Sequence, residues 1–179
     1  MRIISGSHRG KKIIAPDNLS VRPTTDFAKE SLFNILNNYF YFDAISVLDL
    51  FAGTGNMSYE FAARNATEII AVDTNPLCVN FINRTAKLLS FDKLSALKID
   101  AVSFLNRCKQ QFNIIFADPP YYWQGHKSIP ELVFEKNLLL TDGFLVIEHD
   151  TQINFQTHTK FYQQRVYGKV NFSIFAENL

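Results

Sequence analysis

Residues 112–123, FNIIFADPPYYW, carry an apolar, β-prone run into an aspartate, two prolines and three aromatic residues. Asp118 puts a carboxylate at a strand tip. Pro119 and Pro120 have no backbone N–H, so they bring only carbonyl acceptors, on a stiff corner. Tyr121 offers a ring on which a planar base can stack, a contact worth ~1–3 kcal/mol. Tyr122 and Trp123 extend that surface. The corner suits methyl transfer to a planar, sp²-bonded amine. The lone pair of such an amine is shared with its ring, and acceptors aimed at its hydrogens make the pair more available as the new bond forms. Asp118 takes one hydrogen and the Pro119 carbonyl takes the second. The plainer reading is a proline turn with core aromatics, but a rigid turn alone has no need of the acid.

A second constellation lies upstream, in DLFAGTGN at 49–56. Gly53 and Gly55 let the chain turn tightly and approach a ligand closely, with Phe51, Ala52 and Thr54 between and beside them. Asp73 follows 20 residues after Gly53. At a strand end its carboxylate can accept hydrogen bonds from both ribose hydroxyls, with Asn75 just beyond. Asp100, followed by Ala101, ends the next expected strand and is placed to accept from an adenine amino group. Together they describe a nucleoside cofactor. A dinucleotide fingerprint wants a third glycine three positions after Gly55, and that position is Ser58. Asp49, just before the loop, would repel a pyrophosphate and welcome the ammonium or sulfonium of S-adenosylmethionine. The glycine pair by itself also fits a tight structural turn; the five residues Asp49, Gly53, Gly55, Asp73 and Asp100 together fit it poorly.

These residues need a scaffold that brings strand ends together. Short apolar stretches at 46–51, 68–73, 96–100, 113–118 and 143–149 alternate with helical patterns at 57–65, from Pro76 to about Phe91, at 102–110 and at 129–138. Thr25 or Asp26 caps an earlier helix with an apolar stripe at Ala28, Leu32, Ile35, Leu36 and Tyr39. Asn75 caps the helix that opens on Pro76. Near-continuous apolar strands separated by helices imply a mostly parallel sheet covered on both faces. Residues 160–175 predict a closing antiparallel hairpin that turns near Gly168. Residues 2–5 and 12–15 predict two short strands around the GSHRG turn. In an open sheet of this kind ligands bind beyond the carboxyl ends of the strands, where every residue above falls.

The 179 residues suit one domain, and 47% hydrophobic against 20% charged residues supports a real core. No apolar run is long enough to span a membrane, and MRIISGSHRGKK lacks the apolar stretch of a signal peptide. Cys78 and Cys108 lack metal-ligand spacing and read as buried thiols, so no metal is expected and the cytoplasm is. Net charge is +1, yet residues 1–25 hold Arg2, Arg9, Lys11, Lys12 and Arg22 against Asp17 alone. That asymmetry points to a polyanion at the N-terminus, with a merely solvated basic hairpin as the plain alternative.

The segments RIISGSHRGKKI (2–13), RPTTDFAKESLFNIL (22–36), VLDLFAGTGN (47–56), FNIIFADPPY (112–121) and IEH (147–149) occur in the order seen in bacterial 16S rRNA guanine-N2 methyltransferases of the RsmD type, which the chain resembles over nearly its whole length. The resemblance implies a Rossmann-like class I methyltransferase fold: a seven-stranded, mostly parallel sheet with a C-terminal antiparallel hairpin. Residues 1–24 are then a basic β-hairpin extension and residues 25–179 the methyltransferase domain. It implies an enzyme using S-adenosyl-L-methionine to modify one loop guanine of 16S rRNA in an assembled or nearly assembled small subunit, as a monomer acting on RNA and not DNA. Asp118, Pro119, Pro120 and Tyr121 would carry the target base. Asp49, Phe51, Ala52, Gly53, Thr54, Gly55, Asp73, Asn75, Asp100 and Ala101 would carry the cofactor. Arg9, Lys11 and Lys12 would position the RNA through phosphates, and Arg22 and Thr24 would shape the target-base entrance, although a plain loop and cap also explains the last two. His8 reads equally as an RNA contact or a surface turn residue. Glu148 and His149 are flagged without a chemical role. Phe27 stands where the family usually has a basic residue, with Lys29 one turn away as a substitute; Asp73 stands where glutamate is frequent, and Ser5 where glycine is common.

Three rivals share parts of this pattern. An adenine-N6 methyltransferase also uses the tetrapeptide, but no insertion for DNA base recognition is visible. A nucleotide-dependent oxidoreductase conflicts with Ser58 and Asp49. A noncatalytic RNA-binding module would not need intact cofactor and target motifs.

Overall fold

The computed structural model describes residues 1–16, 18, 19 and 25–177. Helix α1 (Asp26–Leu36) opens the domain, with Thr25 at its N-cap accepting from the Ala28 N–H. Then β1 (Ser46–Leu50), α2 (Asn56–Ala63), β2 (Glu68–Asp73), α3 (Pro76–Leu88), β3 (Leu94–Lys98), α4 (Ala101–Arg107), β4 (Phe112–Ala117), α5 (Ser128–Glu135) and β5 (Leu139–His149) alternate, and β6 (Phe161–Tyr167) and β7 (Val170–Ala176) close the chain. The seven strands form one sheet in the order β3-β2-β1-β4-β5-β7-β6. The first five are parallel and β7 runs antiparallel to both β5 and β6. The predicted fold class is the observed one.

Alternation along the strands divides the core in two. Val47, Ile69, Ala71, Ile114, Phe116 and Val146 pack with residues of α1, α2 and α3, whereas their neighbours Leu48, Val72, Ile115, Ala117, Leu145 and Ile147 pack with residues of α4 and α5. Both faces of each strand are apolar because both are covered, which is why the sequence shows runs and not alternation.

Element ends differ from expectation by a few residues. The third strand starts at Leu94 and stops at Lys98, so Asp100 lies beyond it, as the N-cap of α4, accepting from the Ser103 N–H. The helices expected to reach Phe91, residue 110 and residue 138 stop at Leu88, Arg107 and Glu135. Cys78 is buried as expected, but Cys108 is half-buried, its thiol directed at the Gln110 carbonyl. Among the described residues no helix is long and apolar enough to cross a membrane.

The N-terminal strands shrink to a single antiparallel bridge, Arg2 with Lys12. The reason is where the backbone donors go. The Ile4 and Ser5 N–H groups donate to the two carboxylate oxygens of Glu60 at 2.8 and 3.0 Å, and the Ser7 N–H donates to the Ala63 carbonyl. Gly6 makes this docking possible: φ is +81°, and a Cβ there would lie 1.9 Å from the Ala63 oxygen. Ile3 and Ile13 enter the same core as α1 and β1.

Glu60 is fully buried and also pairs with Lys29 (3.6 Å) and Arg64 (3.0 Å). The Arg64 guanidinium lies over the Phe33 and Phe42 rings. Lys29, itself buried, donates further to the Arg2 carbonyl and to Asn56 Oδ1. It is therefore no substitute for a phosphate-gripping residue at position 27. Removing one partner of a buried ion pair costs roughly 3–5 kcal/mol because the other charge is left uncompensated. Glu60→Ala is accordingly expected to lower urea-unfolding stability by about that amount; a loss under ~1 kcal/mol, the usual worth of an exposed pair, would show the network to be energetically idle.

Candidate active site

Strand order reverses between β1 and β4, and the crevice above their carboxyl ends is where open α/β sheets bind ligands. The pairing Leu50 with Ala117 brings the two motifs together there. One residue further, the Asp118 N–H donates to the Leu50 carbonyl at 3.3 Å. The glycine loop and the DPPY corner thus leave the sheet side by side.

The loop is tightly wound. Phe51, Gly53 and Gly55 have φ of 59°, 54° and 83°. A left-handed phenylalanine is uncommon and marks a backbone held by its surroundings. The holding bonds are visible: the Ala52 N–H donates to the Val72 carbonyl, the Gly55 N–H to the Ala52 carbonyl, and the Gly53 N–H to Asp73 Oδ2 at 2.8 Å. Asp73 Oδ1 takes the Asn75 N–H, and the Asn75 side chain accepts from the Leu77 N–H to cap α3. Asp73 therefore organises the loop as well as facing the crevice. Each of its oxygens retains capacity for a further donor.

Asp49 is buried at the end of β1, paired in register with Ala71 and Phe116. The Ser58 hydroxyl donates to it. The position that fails the dinucleotide pattern thus has a use, holding the acid. Burial raises the Asp49 carboxyl to about 7, offset in part by the Ser58 side-chain and backbone hydrogen bonds, with the Asp73 charge adding to the rise. Among the described residues no cation forms an ion pair with Asp49. Such a site fits a cationic ligand group, which would supply the missing countercharge.

Asp118 is half-buried and held well above the usual carboxylate range, first by burial, then by the charges of Glu148 and Asp49. Glu148, buried near the end of β5, thereby acquires a role that its sequence position did not suggest. Three acids from three adjacent strands converge on one crevice. Among the described residues no group of three or more His, Cys, Asp or Glu side chains is arranged to hold a metal ion. His149 is tied up structurally, bonded to Ser173 Oγ and the Asp150 carbonyl, and burial lowers its proton affinity.

Pro119 is buried, Pro120 exposed and Tyr121 half-buried. The Pro120 carbonyl accepts from the Trp123 N–H and closes the turn. Trp123 folds inward onto Phe51, ring centroids 5.0 Å apart, and packs on the α4–α5 core. It does not extend the stacking surface as expected, because its indole is the cover for the strained Phe51. Tyr122, 83% exposed, is the aromatic left in solvent. Thr54 is buried with its hydroxyl toward Met1 Sδ, and Ala101 is buried in the core; Ala52 and Gly53 are partly open. Asp100 is exposed, with one oxygen committed to its helix cap. Arg9, Lys11 and Lys12 are all exposed on the docked N-terminal turn, whose His8 bonds to Ser7 and packs edge-on against Phe91 at 4.8 Å. Arg22 and Thr24 lie outside the described residues.

Residues 1–176 match the family model described as conserved hypothetical protein 95. YlbH of Bacillus subtilis, named as a candidate rRNA methyltransferase, is 38% identical over 157 residues, covering 86% of this chain and 84% of that protein. Ribosomal RNA small subunit methyltransferase D of Escherichia coli K12 is 27% identical over 178 residues, covering 98% and 89%. Among solved structures, yhhF of Escherichia coli, described as a candidate methyltransferase, superposes with a TM-score of 0.85 at 25% identity over 99% of both chains.

The Asp49 environment has a stability consequence. Its carboxyl ionises near 7 in the folded protein and near 3.8 in an ordinary setting, so between those values the unfolded chain carries fewer protons. Stability then falls as pH rises through that window and levels off above about 7. Asp49→Asn removes the titration. Urea unfolding is expected to show the variant's stability relative to wild type growing by ~2–3 kcal/mol from pH 5 to pH 8; an identical pH dependence in both proteins would assign the titration elsewhere.

Proposed function

The chain belongs to the RsmD-type family that its residues 1–176 match, and we propose that it methylates the exocyclic N2 amine of a loop guanine in 16S rRNA, with S-adenosyl-L-methionine as donor. The observation that carries this reading is the switch-point geometry. A buried acid that no cation among the described residues pairs with, Asp49, and an amine-accepting corner, Asp118-Pro119-Pro120-Tyr121, end on hydrogen-bonded neighbouring strands, one spacing of ~4.8 Å apart. When bound, S-adenosylmethionine supplies an electrophilic methyl group on a sulfonium. Asp49 favours that positive charge, and the Gly53–Gly55 backbone leaves room for close approach. Asp73 and Asn75 stand at the mouth of the loop where a ribose fits.

Asp118 and the Pro119 carbonyl accept hydrogens of the target amine while Tyr121 stacks on its ring. The raised proton affinity of Asp118 refines this role. Ligands lower that affinity again, since a nearby positive charge and the donors of the base both favour the carboxylate. Positioning two reactants in line supplies much of the rate in such a displacement. Exposed Arg9, Lys11 and Lys12 fit phosphate contacts that orient the RNA. The family resemblance supports the finer reading that the substrate is the rRNA of an assembled or nearly assembled small subunit, met by a monomer in the cytoplasm.

Incubating small subunits and naked 16S rRNA with labelled cofactor, then mapping the modified nucleotide, tests the assignment; a methylated adenine, or no transfer, would reject it. Asp118→Asn tests the corner. Guanine presents two adjacent donors on its Watson–Crick edge, and an asparagine amide meets them with one acceptor and one donor. An unmade bond at a desolvated site costs ~1–3 kcal/mol, so single-turnover methylation is expected to fall at least ~10-fold with cofactor affinity unchanged. Near-normal rates would show that the carboxylate does not read both donors. Replacing Arg9, Lys11 and Lys12 together by alanine is expected to weaken RNA binding and flatten its salt dependence; an unaltered salt slope would remove the turn from the RNA interface.

A further inference from the structure

Phe27 is 69% exposed, although it sits in the first turn of α1 beside the buried Ala28 and Lys29. Its ring meets Tyr167 of β6 edge to face, centroids 5.8 Å apart and planes at 83°. Tyr167 is held from below by Phe172 at 6.0 Å and packs against the core. The pair is thus a fixed post and an open ring. Aromatic rings with only two side-chain torsions present apolar area at low ordering cost.

Topology places this pair at the catalytic edge of the sheet. The register links Ala117 to Ile147, Ile147 to Ser173 and Ser173 to Gln164. Tyr167 lies three residues beyond Gln164, at the same end from which Asp118 leaves β4. Three strand spacings and about two residues of rise put it ~15 Å from Asp118. Four or five stacked nucleotides at ~3.4 Å each cover that distance, and fewer do so in an extended strand. Exposed Arg165 and Lys169 flank Tyr167 on the hairpin. On the other side, Asp26, already bonded to Arg2 at 3.1 Å, lines a groove of about 670 Å³ with Lys12 and the exposed Ile14. An aromatic platform between two sets of cations matches a nucleobase with phosphates on either side. A lone ring pair is far too small for a stable protein interface, which buries at least ~1,000 Å².

We propose that Phe27 and Tyr167 form a stacking platform for an unpaired base of the RNA substrate, a few nucleotides from the target guanine. The proposal rests on the reading of the chain as an rRNA methyltransferase and adds a specificity element to it. Phe27→Ala in the full chain is expected to raise KM for small subunits about tenfold. The kcat, cofactor affinity, thermal midpoint and salt slope stay as in wild type, since stacking releases no counterions. Phe27→Trp restores KM, whereas Phe27→Leu does not. A KM change under twofold, or full rescue by leucine, overturns the platform. So does a raised KM on subunits with the affinity of Phe27→Ala for a single-stranded oligoribonucleotide left at the wild-type value, which would assign the patch to a ribosomal protein. A second readout separates this proposal from the function reading. The additional indole of Phe27→Trp is expected to be quenched when an unpaired adenine-rich oligoribonucleotide is titrated at low salt, whether or not methyl transfer occurs. Absent quenching overturns the platform even if methylation is normal; quenching without any rRNA methylation retains the platform and rejects the reaction.

Discussion

Glu60 meets four donors in a space closed to water: the Ile4 and Ser5 N–H groups, the Lys29 ammonium and the Arg64 guanidinium. A carboxylate stripped of water is strongly unfavourable unless its lone pairs are filled, so these partners have to arrive together. Their arrival joins the N-terminal segment, α1 and α2 into one unit. Lys29 extends the joint to Asn56, the first residue of α2 after the glycine loop. The exposed cations at 9, 11 and 12 therefore stand at a set distance from the loop at Gly53 and Gly55. For methyl transfer between two bound partners, that fixed relation is what converts binding into alignment.

The crevice itself is built on the opposite principle. Asp49, Asp118 and Glu148 are gathered in one crevice, where burial raises the proton affinity of Asp49 and Asp118 and the charges of Glu148 and Asp49 add to the rise at Asp118. This arrangement makes the empty fold less stable than a neutral crevice would. It also makes the site responsive, because a cation and a set of hydrogen-bond donors are the two things that relieve it. Asp73 sits on a neighbouring strand end and behaves differently: it is bonded to two backbone N–H groups and serves as the loop's anchor. Its bonds to the loop backbone set Asp73 apart from Asp49, whose partner is the Ser58 hydroxyl.

Much of this was legible. Apolar runs and their helical spacers gave the parallel sheet, because strands covered on both faces leave that mark. Thr25, the Asn75-Pro76 pair and the turn at Gly168 were readable since caps and turns act over two to four residues. Asp49, Gly53, Asp73 and Asp118 were found because strand ends converge in this architecture. Other features were hidden. Ser58 read only as a missing glycine, and its bond to Asp49 depends on how the loop folds back. Lys29 looked like a surface cation, Trp123 like a stacking residue, and Asp100 like a strand end. Glu60 carried no signal at all, although its donors Ile4 and Ser5 lie 56 and 55 residues away.

The division follows from range. Periodicity, caps and the order of motifs are local, so the amino-acid sequence by itself determined the element types, the strand ends that bear chemistry and the family they resemble. Burial of a charge and the partner that satisfies it depend on segments brought together only when the core closes. Tertiary structure alone decided that Lys29 and Glu60 lie inside, that Trp123 covers Phe51, that Glu148 lifts the proton affinity of Asp118, and that Phe27 meets Tyr167 in solvent.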